Sequence, residues 1–322
     1  MIKEYLIQQK SKGLYCPSAD IWIDPTSPVK KALITHAHFD HFSFGCKEYI
    51  CSKETGILLK HRVQKELNIK IVDYDTKIKI NGVNIFFYPS GHILGSSQIK
   101  FEVAGERWLI TSDLKRQTDP TCLGYKRIKT DFLICESTFA LPIFNWEPTK
   151  KIVNQISNWV IRNPHKISIL FCYSLGKAQR ILSEIKEVKI IYVHKNIYTL
   201  NNIYSDLGKN LEKTIKFDKS LDIKAGSLLI LPPSLNNEKY LKSFKNFQTG
   251  FASGWMTIRA IKKRSGYDKG FIISDHADWN GLIKTIEESE AEKVFLNHGD
   301  GENLARYLRA TKKLDIAPIQ IV

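Results

Sequence analysis

Eight residues constrain this chain more than any others: Ile34-Thr35-His36-Ala37-His38-Phe39-Asp40-His41, entered from the apolar run Ala32-Leu33-Ile34. Four metal-competent side chains fall at positions 36, 38, 40 and 41. On a regular helix they would fan around most of the axis, because only spacings of three and four share a face. The pattern suits a strand end that runs into a loop wrapped around a metal. Imidazole with carboxylate is the ligand set of zinc or a similar borderline divalent ion. The competing explanation, a solvated polar turn, accounts poorly for three histidines and an aspartate in one place.

The remainder of the chain must then supply a fold for that loop. At 322 residues it exceeds one ordinary core, so one large domain or two joined domains are expected. Hydrophobic residues make up 43% and charged residues 25%, values of a soluble globular protein. No apolar run reaches the length that crosses a bilayer, and residues 1–10 lack the apolar core of a signal peptide. No membrane association and a cytoplasmic location are the expectations. Six scattered cysteines with no Cys-x-x-Cys spacing fit reduced thiols better than a disulfide framework. Lysine and arginine outnumber aspartate and glutamate by 48 to 33, a net charge of +15. A polyanionic partner follows naturally from that excess. A merely solvated basic surface would give the same count.

Apolar runs that end in acids recur along the chain. Ile21-Trp22-Ile23 alternates like a half-buried strand and delivers Asp24 to its end. A helix is expected over 53–66, capped by Ser52 or Thr55, with Leu58, Leu59 and Val63 as its apolar stripe. Strands follow near 69–74, 77–80 and 83–88, with Asn81-Gly82 as a hairpin turn. The glycine- and serine-rich loop 89–98 carries His92. Strand 107–111 leads to Asp113, and strand 131–135 to Glu136. From about 142 the character changes to alternating helix and strand around a polar, asparagine-rich stretch at 194–222, suggesting a small parallel sheet of its own. Strand-loop chemistry returns at Ser274-Asp275-His276. A helix at 279–289, a strand at 293–296, His298 and a last helix at 302–312 complete the chain.

Nine histidines are present. Those at 61, 165 and 194 have surface or capping contexts, whereas His36, His38, His41, His92, His276 and His298 fall in strand-end loops. A two-metal site needs about seven or eight donors with one carboxylate shared. His36, His38 and His92 would hold one ion, Asp40, His41 and His298 the other, with Asp113 between them. Spacing leaves this partition open, but the donors are there with little excess.

Thr-His36-x-His38-x-Asp40-His41 resembles the signature of the metallo-β-lactamase superfamily, with Asp24, His92 and Asp113 where that superfamily has its leading aspartate, third histidine and bridging aspartate. Glu136-Ser-Thr, Ser274-Asp275-His276 and Asn297-His298-Gly299 resemble the three further motifs of the β-CASP nucleases. Gly176-Lys-Ala-Gln-Arg, Leu231-Pro-Pro-Ser, Ala252-Ser-Gly-Trp-Met, Gly13-Leu-Tyr-Cys and the run 113–121 look closest to the bacterial ligase-associated DNA exonucleases. The resemblance covers essentially the whole chain. It implies an α/β protein: a four-layer αββα metallo-β-lactamase fold over 1–145 and 257–322, with a smaller α/β β-CASP insert over 146–256. The site is then expected in a cleft between the two.

The resemblance also implies roles. The metal partition above would hold two zinc ions, or manganese. Asp40, Glu136 and His276 would be catalytic, with His276 protonating the leaving oxygen or stabilising phosphate charge and Glu136 orienting it. Asp24 would orient a ligand histidine, and Lys177 and Ser253 would bind nucleic-acid phosphates. The activity expected is hydrolysis of DNA, single-stranded or with free ends, in repair alongside a DNA ligase and a helicase. A ribonuclease of the same mechanism is the alternative, weakened by the chain's modest length and the lack of an appended RNA-binding module. A small-molecule metallohydrolase fits the later motifs less well, and a metal-free scaffold fits the ligand set least.

Overall fold

The computed structural model describes residues 5–218, 220–236, 241, 244–264 and 266–318. The chain divides into two compact units, residues 1–142 with 276–322, and 143–275.

The first unit is built on two sheets. One has six strands in sequence order: β1 (Gln8–Lys10), β2 (Gly13–Cys16), β3 (Ile21–Ile23), β4 (Lys31–Leu33), β5 (Glu48–Cys51) and β6 (Ile69–Ile71). The second contains β7 (Lys77–Ile80), β8 (Val83–Pro89), β9 (Ser97–Val103), β10 (Glu106–Ile110), β11 (Phe132–Glu136), β18 (Lys293–Asn297) and β19 (Asp315–Pro318), in the spatial order 19-18-11-10-9-8-7. Side-chain alternation assigns each face. Trp108 and Ile110 point with Val83, Ile85, Phe87, Ile99 and Phe101 into a core closed on the other side by Leu14, Ile21, Ile23, Leu33 and Ile50. Leu109 and Leu133 point the opposite way. There they meet Leu282 and Ile286 of one helix (Trp279–Ser289) and Leu304 and Leu308 of another (Glu302–Lys312). Helix α1 (Lys53–Val63) covers the outer face of the first sheet, so closely that a Cβ on Gly56 would lie 2.7 Å from Ile71. The layers are therefore αββα. Ser52 caps α1 by accepting the Thr55 amide at 3.3 Å. The 80–83 turn uses Asn81 and Gly82 at φ 46° and 87°, the paired left-handed conformation of a two-residue hairpin.

The second unit carries one six-stranded sheet in which every pair is parallel. Its strands are β12 (Ile167–Phe171), β13 (Ile191–Val193), β14 (Ile215–Lys216), β15 (Leu228–Leu231), β16 (Phe247–Ala252) and β17 (Lys269–Phe271), ordered 14-13-15-12-16-17. Both faces of β12 are buried, Leu170 and Cys172 in one core and Ile169 and Phe171 in the other, which is why it reads as a continuous apolar run. Among the described residues the helices between strands are α2 (Thr149–Ile161), α3 (Lys177–Glu184), α4 (Lys195–Asp206) and α5 (Arg259–Arg264), and in the first unit Trp279–Ser289 is α6 and Glu302–Lys312 is α7.

Two sequence expectations change here. The unit boundary runs to Asp275 rather than 256, because β17 pairs with Gly250–Ala252 and ties the intervening chain to the parallel sheet. The stretch 194–222 holds α4, whose buried Ile197, Leu200 and Tyr204 keep helical spacing among asparagines, and whose N-terminus His194 caps by accepting the Asn196 amide at 3.3 Å. The first four and last four residues assigned to the larger domain lie outside the described residues.

Candidate metal centre

The topology of the first unit gathers strand ends at one edge. β10, β11 and β18 are mutually parallel, so Glu136 at the end of β11 and the loops after β10 and β18, bearing Asp113 and His298, emerge together. β9 runs antiparallel to β10 and starts beside its end, which brings the β8–β9 loop and His92 to the same edge. In the other sheet β3 and β4 are parallel, so Asp24 and the His36 loop leave side by side.

Among the described residues, His36, His38, His92 and Asp113 place one donor atom each within 4.8 Å of one another. Asp113 Oδ2 is the hub: the Nε2 atoms of His36, His41 and His92 each lie 3.5 Å from it, and that of His276 lies 4.0 Å away. The Nδ1 atom of His38 is 3.2 Å from His36 Nε2 and 3.1 Å from His92 Nε2. Nitrogen lone pairs crowded around one carboxylate oxygen are the arrangement a cation stabilises, so the donor set fits a divalent metal. Asp113, Glu136 and His276 form a second group by the same distance criterion. Asp40, His41 and His298 do not close into a further one. His298 instead stacks on His41 at 4.9 Å between ring centroids. Asp40 and His298 both line a solvent-open pocket of about 130 Å³, together with Asp24, Ser112 and Glu136. The second ion's expected ligands are thus neighbours without being a closed cage.

Burial and charge set the protonation states. His36 is pushed well below its usual value by burial and by the neighbouring histidines 41, 92, 38 and 276, which favours the neutral, metal-binding imidazole. Burial also acts to lower His41, but the carboxylates of Asp113, Asp24 and Asp40 outweigh it and raise it to about 10. Burial would raise Asp113. The surrounding histidines 41, 276, 92 and 298 overcome that and hold it well below the usual carboxylate range.

A hydroxyl network fixes this geometry, and sequence reasoning missed it. Asp24 Oδ2 lies 2.8 Å from His41 Nδ1 and accepts from Thr35 Oγ1 at 2.6 Å, while Oδ1 accepts the Thr35 amide at 2.8 Å. Thr35 Oγ1 is also 2.7 Å from Ser112 Oγ and 3.0 Å from His36 Nδ1. The ring nitrogens of His36 and His41 that turn away from the hub are thereby anchored, which orients their other nitrogens. Asp24, Ser112 and His298 all adopt positive φ, 44°, 50° and 51°, a conformation that costs non-glycine residues energy and persists where surrounding contacts impose it. A Cβ on Gly91 would come within 2.2 Å of the Lys115 carbonyl, so only glycine permits the loop to seat His92 there.

Glu136 and His276 meet at 2.9 Å, Oε2 to Nδ1. The other oxygen, Oε1, accepts the Leu114 amide at 2.6 Å, which leaves Glu136 with little freedom. Lys177, expected to bind phosphate, is buried with its ammonium 3.3 Å from Asp275 Oδ2, and Arg180 Nη1 lies 3.2 Å from Oδ1, so two cations share one carboxylate inside the second unit. Ser253 follows β16, and its hydroxyl accepts the Trp255 amide at 3.4 Å as a local cap. No helix of the described residues is long and apolar enough to cross a membrane.

Paired sheets between helices, with a histidine–aspartate cluster at one edge, define a protein of metallo-β-lactamase architecture. Comparison with known proteins sharpens that class. Residues 270–318 match the model of a Zn-dependent metallo-hydrolase RNA specificity domain. A probable DNA ligase of Opitutus terrae is 27% identical over 305 residues, 93% of this chain, and the chain spans only 30% of that ligase's length. An RNase J-like protein of Methanocaldococcus jannaschii is 25% identical over 84% of this chain and 82% of its own. A crystal structure of a protein of unknown function from Enterococcus faecalis V583 superposes with a TM-score of 0.59 over 85% of this chain and 76% of that one, at 16% identity, and supports the fold alone. The chain belongs to the metallo-β-lactamase/β-CASP group.

Proposed function

We propose that the chain is a metal-dependent nuclease of the β-CASP kind that hydrolyses phosphodiester bonds in DNA, working from an end. The observation that carries this is Asp113 Oδ2 at the centre of four imidazoles, with the Glu136–His276 pair beside it. His36, His38 and His92 with Asp113 would hold one zinc or manganese ion, and Asp40, His41 and His298, sharing Asp113, a second. Bound there, such ions supply an ionised water at neutral pH and neutralise phosphate charge. The chain's own groups do the rest. Glu136 accepts from Nδ1 of His276 and favours its protonated ring, whose Nε2–H faces the hub and can pass its proton to the leaving oxygen. Asp24, fixed by Thr35, keeps His41 in one tautomer. The carboxyl ends of β12 and β16, whose connections leave in opposite directions, form the crevice where parallel sheets take ligands. Ser253 lies there and is the proposed phosphate contact in the second unit.

DNA is favoured over RNA because the 305-residue match lies within a protein named as a DNA ligase, which supports end processing alongside a ligase; a helicase partner is part of the same proposal. The RNase J-like relative and the RNA-specificity match favour the second reading, a ribonuclease. The net charge of +15 serves either polymer. End-labelled DNA and RNA of one sequence, single- and double-stranded, are incubated with the zinc- or manganese-loaded protein and with Asp113→Asn. DNA degraded in preference to RNA, and loss in the variant, is the expected result. RNA degraded first replaces the substrate, and no degradation of either refutes the nuclease.

A further inference from the structure

Two phenylalanines of the metal-motif loop lie open to solvent, each with a cation against one face. Phe39, between His38 and Asp40, is 54% exposed, and Phe44 is 50% exposed. The Arg62 guanidinium stacks 3.7 Å from the Phe39 ring centroid, and the Lys65 ammonium lies 4.7 Å from that of Phe44. Both cations come from the C-terminal end of α1 and the residues just after it. Arg62 also donates to the Ala37 carbonyl, so it grips the loop on both sides of His38.

The loop beneath these rings is rigid. Phe42 turns inward and stacks on Tyr49 at 5.2 Å. The Tyr49 hydroxyl donates to the Ser43 carbonyl and accepts the Cys46 amide, each at 2.9 Å. Rings held open on a fixed backbone lose little entropy when something stacks on them. Single exposed apolar residues are ordinary, but two aromatic faces backed by cations beside a phosphodiester site form a combination that suits one chemistry. Unpaired bases stack on aromatic faces while cations meet the phosphates between them. Duplex bases are already stacked and paired, so only a single strand or a frayed end can present a free face.

We propose that Phe39 and Phe44 are a stacking platform for unpaired nucleobases of the strand whose phosphate enters the metal centre, with Arg62 and Lys65 matching its backbone charge. This rests on the nuclease reading, and the platform would make that nuclease a single-strand or frayed-end enzyme.

The test uses full-length metal-free protein and fluorescein-labelled 15-nucleotide strands, one of thymidines and one of abasic sites on the same backbone. The wild type binds the thymidine strand at least about fivefold more tightly, the lower bound for one stacked base. Phe39→Ala weakens that preference, Phe39→Ala/Phe44→Ala erases it and Phe39→Trp retains it. A 2-aminopurine placed in the strand loses fluorescence on binding wild type but not the double variant. Equal affinity of the wild type for both strands overturns the platform, as does a preference that survives in Phe39→Ala/Phe44→Ala. Hydrolysis of bis(p-nitrophenyl) phosphate, a diester with no base, by the zinc-loaded wild type reports separately on the nuclease reading. Its absence defeats that reading while the binding arms still judge the platform.

Discussion

Replacing Asp275 with asparagine strips the carboxylate from two cations buried in the second unit. Lys177 and Asp275 are each 3% exposed and Arg180 only 1%, with the ammonium 3.3 Å and the guanidinium 3.2 Å from the carboxylate oxygens. Removing one partner of a buried ion pair costs about 3–5 kcal/mol, because the remaining charge stays desolvated and loses its compensation. Arg180 keeps one neutral acceptor, the Ser274 carbonyl at 2.8 Å, which argues for the lower half of that range. In a domain of this size each kcal/mol moves the midpoint by roughly 3–5 °C, so Asp275→Asn should melt about 9–20 °C below the wild type. Circular dichroism of the metal-free proteins at neutral pH measures it. The partner experiment replaces all three groups, Lys177→Met, Arg180→Met and Asp275→Leu together. Apolar residues of similar volume often match or exceed a buried ionic cluster in stability, so the triple variant should melt well above the single one. A single variant within 2 °C of wild type, or a triple variant no better than the single, would falsify the account of Lys177 as an interior charge paired with Asp275. It would return that lysine to the pool of phosphate ligands.

Asp24→Asn should weaken zinc binding about 10–100-fold in a competitive chelator titration, since it holds His41 without facing the hub; unchanged affinity would remove it from the metal's support. Thr35→Val keeps the shape but deletes a hydroxyl shared by Asp24, Ser112 and His36, and should cost about 1–3 kcal/mol in denaturant unfolding, a cost that a fully relaxed network would not show. Stripping metal with EDTA should lower the melting midpoint and zinc should restore it, because a ligand that binds only the folded state stabilises by mass action; plasma emission analysis should return two ions per chain, and zero would end the two-metal proposal. All six cysteines are buried, and burial pushes Cys16 up to about 11 and Cys51 up to about 12, so a disulfide reagent at pH 8 should find no fast thiol until guanidinium exposes six; a fast native thiol would contradict the packing.

What could be read in the sequence was what carries its chemistry in its own side chain. Ile21-Trp22-Ile23 alternated as a strand, Asn81-Gly82 marked a turn, and α6 and α7 cover the residues 279–289 and 302–312 that their pattern predicted. The histidines and acids at strand ends were legible because strand ends collect them. What could not be read depends on a partner distant in sequence. Lys177 at a glycine-led helix start looks like a phosphate ligand until Asp275 is folded against it. Thr35 and Ser112 are unremarkable hydroxyls until they share Asp24. Arg62 and Phe39 are a surface arginine and a stray aromatic until the loop and helix end meet.

The same logic bears on how the centre divides its labour. Asp113 Oδ2 lies 3.5 Å from three imidazoles and 4.0 Å from the fourth, and its carboxylate belongs to both donor groups. A group that both the metal donors and the Glu136–His276 pair rely on cannot be altered for one without disturbing the other. Substitution at His38, which reaches His36 and His92, should therefore lower metal affinity while sparing the Glu136–His276 contact. Substitution at Asp113 should abolish both. If His38→Ala and Asp113→Asn lose metal and activity in the same proportion, with identical pH profiles, the carboxylate is only a ligand and the link between metal and proton transfer runs elsewhere.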